Sequence, residues 1–96
     1  MKVIAIGSLV QTITPEQLQQ IMPKEVPATL KHYLDGTVEQ FWFRENAGPI
    51  FLMNAESVEQ AKAELDTLPL VAAKLMIYDL MPVTTLKPFG LLIQGK

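Results

Sequence analysis

The sequence predicts an α+β domain whose elements run βαββαβ, with a four-stranded antiparallel sheet carrying two helices on one face. Three observations carry that expectation. Short β-branched or aromatic runs recur as KVIAIGSL, TVEQFWFR, PIFLMN and KLMIYDLM. Two stretches of helical periodicity separate them, each opened by a capping box, TPEQ and SVEQ. Between the second and third runs lies only ENAG, the length of a hairpin turn.

Taken in order, Lys2 to Leu9 reads as a buried first strand. Thr14 then serves as N-cap, with Pro15 at the first helical position and Gln17 closing the box. Pro23 and Pro27 fall inside the apolar periodicity, and each removes a hydrogen bond and crowds the preceding turn. The reading is therefore two helical segments with a break near Met22–Pro23, the second ending at Leu34 before Asp35–Gly36. Thr37 to Arg44 is the aromatic strand. Strict alternation puts Val38, Gln40, Trp42 and Arg44 on one face, and Thr37, Glu39, Phe41 and Phe43 on the other, where the phenylalanines read as core. In the turn, Asn46 and Gly48 are suited to positive φ. After Pro49 to Asn54, Ser57 to Gln60 opens a helix whose stripe is Val58, Ala61, Leu65 and Leu68, and Pro69 stops it. Lys74 to Met81 is the last strand. The domain spans 1–83. Residues 84–96 form a tail without periodicity, whose apolar LKPFGLLI is expected to pack on the domain or on a neighbouring subunit.

Composition narrows the function classes. The 96 residues suffice for one core, and 49% of them are hydrophobic against 19% charged, a surplus of apolar surface that a subunit interface would absorb. The net charge is −2 and the basic residues are scattered, so nucleic acid is not an expected partner. Without cysteine, and with His32 as the only histidine, thiolate chemistry and a His-cluster metal site are excluded. The start of the chain lacks a cleavage signal, and no apolar run approaches the ~20 residues of a membrane span, which reads as a cytoplasmic protein with no membrane partner. VIAI, IFLM and LMIY are apolar on both alternating faces, yet two helices cover only one. A second copy is the expected cover, giving a homodimer or a larger homo-oligomer.

DGTVEQFWFR, AESVEQAKAELDTLPL and LMIYDLMPV, in that order and spacing, resemble the muconolactone Δ-isomerase-like branch of the dimeric α/β-barrel superfamily, whose fold is ferredoxin-like. The similarity spans residues 2–83, and the YciI-like branch is the runner-up. The resemblance implies sheets paired into a barrel across a dimer, and a small-molecule ligand held between sheet and helices. It also implies a double-bond shift by proton transfer with neither metal nor organic cofactor. The expected function is thus a small isomerase-like enzyme acting on an unsaturated cyclic or carboxylated metabolite. The alternative is a non-catalytic dimeric ligand-binding or assembly module.

Proton transfer at carbon needs a carboxylate or imidazole tuned to working pH. Glu25 and His32 fall on the apolar side of the first helix with Leu18, Ile21, Met22 and Thr29, making them the acid–base candidates. A structural reading competes: Glu25 solvating a helix start, and His32 favoured by a helix C-terminus. Trp42 offers a stacking face and Arg44 a fork for a carboxylate, so both are candidate ligand contacts, with Tyr78 as a hydrogen-bond donor. Against these stand a dimer-interface Trp42, an Arg44 paired with Glu39, Glu45 or an acid of a second copy, and an edge or interface tyrosine.

Overall fold

In the computed structural model, which describes residues 1–45 and 47–84, seven elements form. They are β1 (Lys2–Leu9), α1 (Pro15–Leu34), β2 (Val38–Phe43), β3 (Pro49–Asn54), α2 (Val58–Asp66), a one-turn α3 (Pro69–Ala72) and β4 (Met76–Val83). The strands make one antiparallel sheet in the order β2-β3-β1-β4, the α+β, ferredoxin-like arrangement expected. α3 is an addition, because Pro69 both ends the α2 stretch and starts a new turn. The expectation for the tail, and that for the backbone of Asn46, lie outside the described residues.

Val3 and Ala5 of β1, Phe51 and Met53 of β3, and Val38 of β2 turn to one face, where they bury against Ala61, Leu65 and Leu68. A second small cluster, Leu70, Leu75 and Met76, is packed by Ile13, Ile21 and Met22. The opposite face carries Ile4, Ile6, Ile50, Leu52, Trp42 and Ile77 by register, and no described helix or strand packs on it. Trp42 and Ile77 are exposed there.

The expected break in the first helix does not occur: α1 is continuous over its 20 residues despite Pro23 and Pro27. A proline inside a helix costs about 3 kcal/mol or more, largely through a lost hydrogen bond and a clash with the carbonyl four residues back. Here the prolines are four apart on one face, and both are exposed. The carbonyls they leave unpaired belong to Gln19 and Pro23, also exposed, so water can take up those bonds. The capping box forms as predicted, Thr14 Oγ1 accepting from Gln17 N and Gln17 Oε1 from Thr14 N. Asp35 and Gly36, at φ 86°, close the other end. A hydrogen bond from Thr37 holds the Asp35 carboxyl below its ordinary range. At α2 the reciprocal half of the box is displaced by one residue: Ser57 Oγ accepts from Gln60 N, while Gln60 Oε1 accepts from Glu56 N.

Strict alternation along β2 also fails, and a β-bulge is the cause. Val38 pairs with Met53 but Gln40 pairs with Leu52, so two residues on β2 oppose one step on β3. Glu39 and Gln40 fall on the outer side, where Lys2 Nζ reaches Glu39 Oε1 and Asn54 Oδ1, each at 2.5 Å. From there on the phase is reversed. Phe41 and Phe43, opposite Phe51 and Pro49, join Val38 on the helix side, and Trp42, opposite Ile50, takes the outer side.

α3 ends in a Schellman motif: Leu75 N donates to Leu70 O and Lys74 N to Val71 O. Lys74 occupies the left-handed position at φ 61°, one that glycine takes without steric penalty. Lys74→Gly should therefore stabilise the fold by about 0.5–1 kcal/mol, read as a higher denaturant midpoint in chemical unfolding.

Candidate active site between helix and sheet

Two glycines set how closely the segments on the sheet side of the site approach one another. Gly7 lies opposite Tyr78 in the β1–β4 register, and a Cβ there would come within 2.9 Å of Tyr78 Cε1 and 3.0 Å of Pro49 Cδ. The Tyr78 ring thus lies across β1 and stacks on Phe51, with centroids 5.5 Å apart and planes inclined by 24°. Gly48 is fixed by approach rather than by positive φ, because a Cβ on it would run into the Gly7 carbonyl. At the outer edge Phe41 meets Tyr33 of α1 edge-on, at 5.4 Å and 84°.

These contacts leave a cavity of about 250 Å³ between α1 and the sheet. α1 contributes Met22, Glu25, Val26, Thr29 and Leu30; the sheet side brings Phe41 to Phe43, Pro49, Phe51, Met76 and Tyr78; and α3 adds Leu70. Its mouth is apolar, framed by the exposed Val26, Leu30, Phe41 and Phe43, the last at 78% exposure. Among the described residues Glu25 is the one charged side chain in the lining.

Glu25 is 7% exposed, a carboxylate in an apolar wall. Its Oε1 accepts from Leu70 N at 2.8 Å, supplying the N-terminal cap that α3 lacks in its own sequence. Oε2 has only a long contact, 3.3 Å from Thr29 Oγ1, whose hydroxyl also lies 3.0 Å from the Glu25 carbonyl. One oxygen is therefore anchored and the other is held loosely. Tyr78 shares the cavity. Burial, and secondarily the Glu25 charge, push its phenol well above the ordinary tyrosine range, so it remains a neutral hydrogen-bond donor.

Of the residues singled out from the sequence, the fold brings Glu25 and Tyr78 together with the backbone of the aromatic strand. His32 is elsewhere. Its ring sits between α1 and the end of α2, with Nε2 3.1 Å from Thr67 Oγ1 and Nδ1 3.6 Å from Glu64 Oε2. Thr67 gives its own proton to Glu64 O, so the contact runs from His32 Nε2 to the threonine oxygen. Arg44 is turned inward, with Nε donating to Gly48 O at 3.0 Å and Nη2 to Gly7 O at 2.6 Å. Trp42 borders the mouth, while its register partner Ile50 belongs to the outer face. The sequence reading missed Phe41 and Phe43 as pocket walls, for want of any sign of the bulge. Thr29 was open to discovery from its four-residue spacing to Glu25, which places the two on neighbouring turns.

A sheet ordered β2-β3-β1-β4 with its helices on one face is a fold this chain shares with solved enzyme structures. The chain superposes on muconolactone isomerase with a TM-score of 0.74 over 90% of its own length and 91% of that chain, at 17% identity. It superposes on 5-chloro-2-hydroxyhydroquinone dehydrochlorinase from Burkholderia phenoliruptrix AC1100, in complex with 2,5-dihydroxybenzoquinone, with a TM-score of 0.65 at 14% identity, covering 92% of this chain and 98% of that one. No protein-family model matches the sequence, and no curated protein matches it either. Among the described residues no helix is long and apolar enough to cross a membrane.

The phenol of Tyr78 gives the fold an alkaline limit. Folding raises its pKa, so its contribution to stability is intact below the unfolded value near ~10 and is lost as pH rises towards the folded one. The slope can reach about 1.4 kcal/mol per pH unit. Unfolding curves collected between neutral pH and pH ~11 should show this decline, and Tyr78→Phe should flatten it relative to the unsubstituted protein.

Proposed function

We propose that the cavity beneath α1 is the active site of a small, cofactor-independent enzyme that shifts a double bond in an unsaturated cyclic metabolite by proton transfer. The observation that carries this reading is Glu25, a buried carboxylate anchored through one oxygen, with Tyr78 as a neutral donor in the same apolar cavity. Burial strengthens both groups' action on a bound ligand, since apolar surroundings screen charges and dipoles less than bulk water does. For a β,γ-unsaturated cyclic carbonyl compound, Glu25 Oε2 takes a proton from the carbon between the carbonyl and the double bond. The C–H electron pair moves into the ring and charge collects on the carbonyl oxygen, where the Tyr78 hydroxyl stabilises it. Glu25 then returns the proton at the far end of the conjugated system. The conjugated isomer results, with nothing oxidised or reduced. That these two structural neighbours bear the names of enzymes acting on ring compounds supports the reading by analogy of fold.

Among the candidates, Glu25 carries the acid–base role and Tyr78 binds the ligand oxygen. Trp42 shapes the mouth, Arg44 holds Gly7 and Gly48 together, and His32 supports the packing of α1 on α2. With a β,γ-unsaturated cyclohexenone as probe, conversion to the conjugated isomer should be catalysed, and Glu25→Gln should slow it ~10²-fold or more. His32→Ala should leave the rate within about a factor of two. An undiminished rate in Glu25→Gln would reverse the assignment in favour of the non-catalytic alternative, which the Leu70 contact supports as a purely structural use of this carboxylate.

The proposal includes a homodimer. The outer face of the sheet presents Ile4, Ile6, Ile50 and Leu52 beside exposed Trp42 and Ile77, and a second copy burying that face closes the barrel. Sedimentation at micromolar concentration should give twice the chain mass. Ile6→Glu, which sets a charge at the centre of the face, should shift the protein to monomer, and a monomeric unsubstituted protein would rule the dimer out.

A further inference from the structure

The charge pattern of the cavity bears on which ring compounds it can accept. Among the described residues its only charged group is the Glu25 carboxylate, and no lysine or arginine joins the lining. Arg44, the cation nearest in sequence to the aromatic wall, has Nε and Nη2 committed to the carbonyls of Gly48 and Gly7. Lys24 and Lys31 on α1 are exposed and absent from the lining. A ligand anion in this space would face a like charge across a few ångströms of apolar material, with no counter-ion.

The remaining polar equipment suits a neutral oxygen function. The Tyr78 hydroxyl makes no hydrogen bond with a described residue and is a donor kept protonated by its surroundings. The Thr29 hydroxyl donates to Glu25, which leaves its oxygen only as an acceptor beside that carboxylate. Phe41, Phe43, Phe51 and Tyr78 give the walls aromatic faces, which favour a flat ligand. The volume of about 250 Å³ corresponds to roughly eight waters at ~30 Å³ each, the room of one ring with small substituents.

We infer that the site takes uncharged, planar, single-ring carbonyl compounds, and that it discriminates against the same ring bearing a carboxylate. This inference rests on the proposed reading of the cavity as the ligand site, and it fixes the substrate class within that reading. Tyr78 donates to the carbonyl oxygen, and Glu25, left unpaired by the ligand, acts on the ring carbon. A ring carboxylate puts its charge against Glu25 whichever way round it binds.

The test uses cyclohexene carboxamide and cyclohexene carboxylate, which share a shape and differ in charge, with conjugated cyclohexenone as a third probe. Binding to the full chain is followed by calorimetry at neutral pH. The carboxamide and the enone should bind at least about tenfold more tightly than the carboxylate. In Glu25→Gln the carboxamide–carboxylate ratio should fall towards one. Because that pair of probes is compared on the unsubstituted protein, the result stands even if the variant fails to fold. Equal or tighter binding of the carboxylate overturns the inference, and so does the absence of binding by all three. Solvent deuterium uptake into the enone separates the two claims. Charge discrimination without exchange upholds the ligand class and sinks the proton-transfer reading. Exchange together with a preference for the carboxylate does the reverse.

Discussion

A carboxylate on the buried side of a helix must be protonated, reach water or find donors, and Glu25 finds a donor 45 residues away in the backbone N–H of Leu70. That bond does two things at once. It satisfies the start of a one-turn helix that has no side-chain cap of its own, and it fixes where α1 lies against α3. The cavity exists in the angle left between these elements and the sheet. Its polarity follows from the same bond, since one oxygen of Glu25 is spoken for and the other is left beside Thr29 and the open space. The arrangement makes Glu25 both a strut between α1 and α3 and the one charged side chain that the described residues bring to the cavity.

The opposite wall depends on backbone approach. Gly7 and Gly48 lack the side-chain atoms that would keep the hairpin, β1 and the Tyr78 ring apart. Arg44 then ties the two backbones together with its guanidinium. A fork with several donors in one plane suits this task, where a lysine would offer a single point charge. With the two backbones held in this way, the bulge in β2 turns Phe41 and Phe43 inward, and the aromatic wall forms from residues that unbroken alternation would send to the other side. The shape of the cavity and the fold are therefore coupled at the hairpin. A change there alters the cavity before it alters the core.

Some of this was legible in the residues themselves. Thr14–Gln17 and Ser57 mark helix starts because side-chain oxygens of the right length stand at the right spacing, a local matter. Ala61, Leu65 and Leu68 bury because a single helical stripe has one place to go. Glu25 stood out as an acid in an apolar stripe, and it is indeed buried. Other features were not legible. The two internal prolines argue locally for a break, yet the helix persists because their unpaired carbonyls face water and its other face is anchored. His32 follows Glu25 by seven residues and shares its side of an ideal helix. The cavity ends before the helix does, and His32 meets Thr67 and Glu64 instead. Gly48 looked like a residue chosen for positive φ, and its real constraint is a neighbouring strand.

By itself the sequence determined the order of elements, their caps, the single core stripe of each helix and the surplus of apolar surface on the sheet. All of these rest on periodicity and on hydrogen bonds between residues a few positions apart. Only the tertiary structure decided which aromatic residues face the cavity, that Arg44 binds backbone, and that Glu25 binds Leu70 and shares its cavity with Tyr78 rather than with His32. Those outcomes depend on a one-residue shift in strand register and on approaches between segments distant in the chain. No local pattern encodes such distances. Here the fold was written in short-range chemistry, and the candidate site in the way the pieces meet.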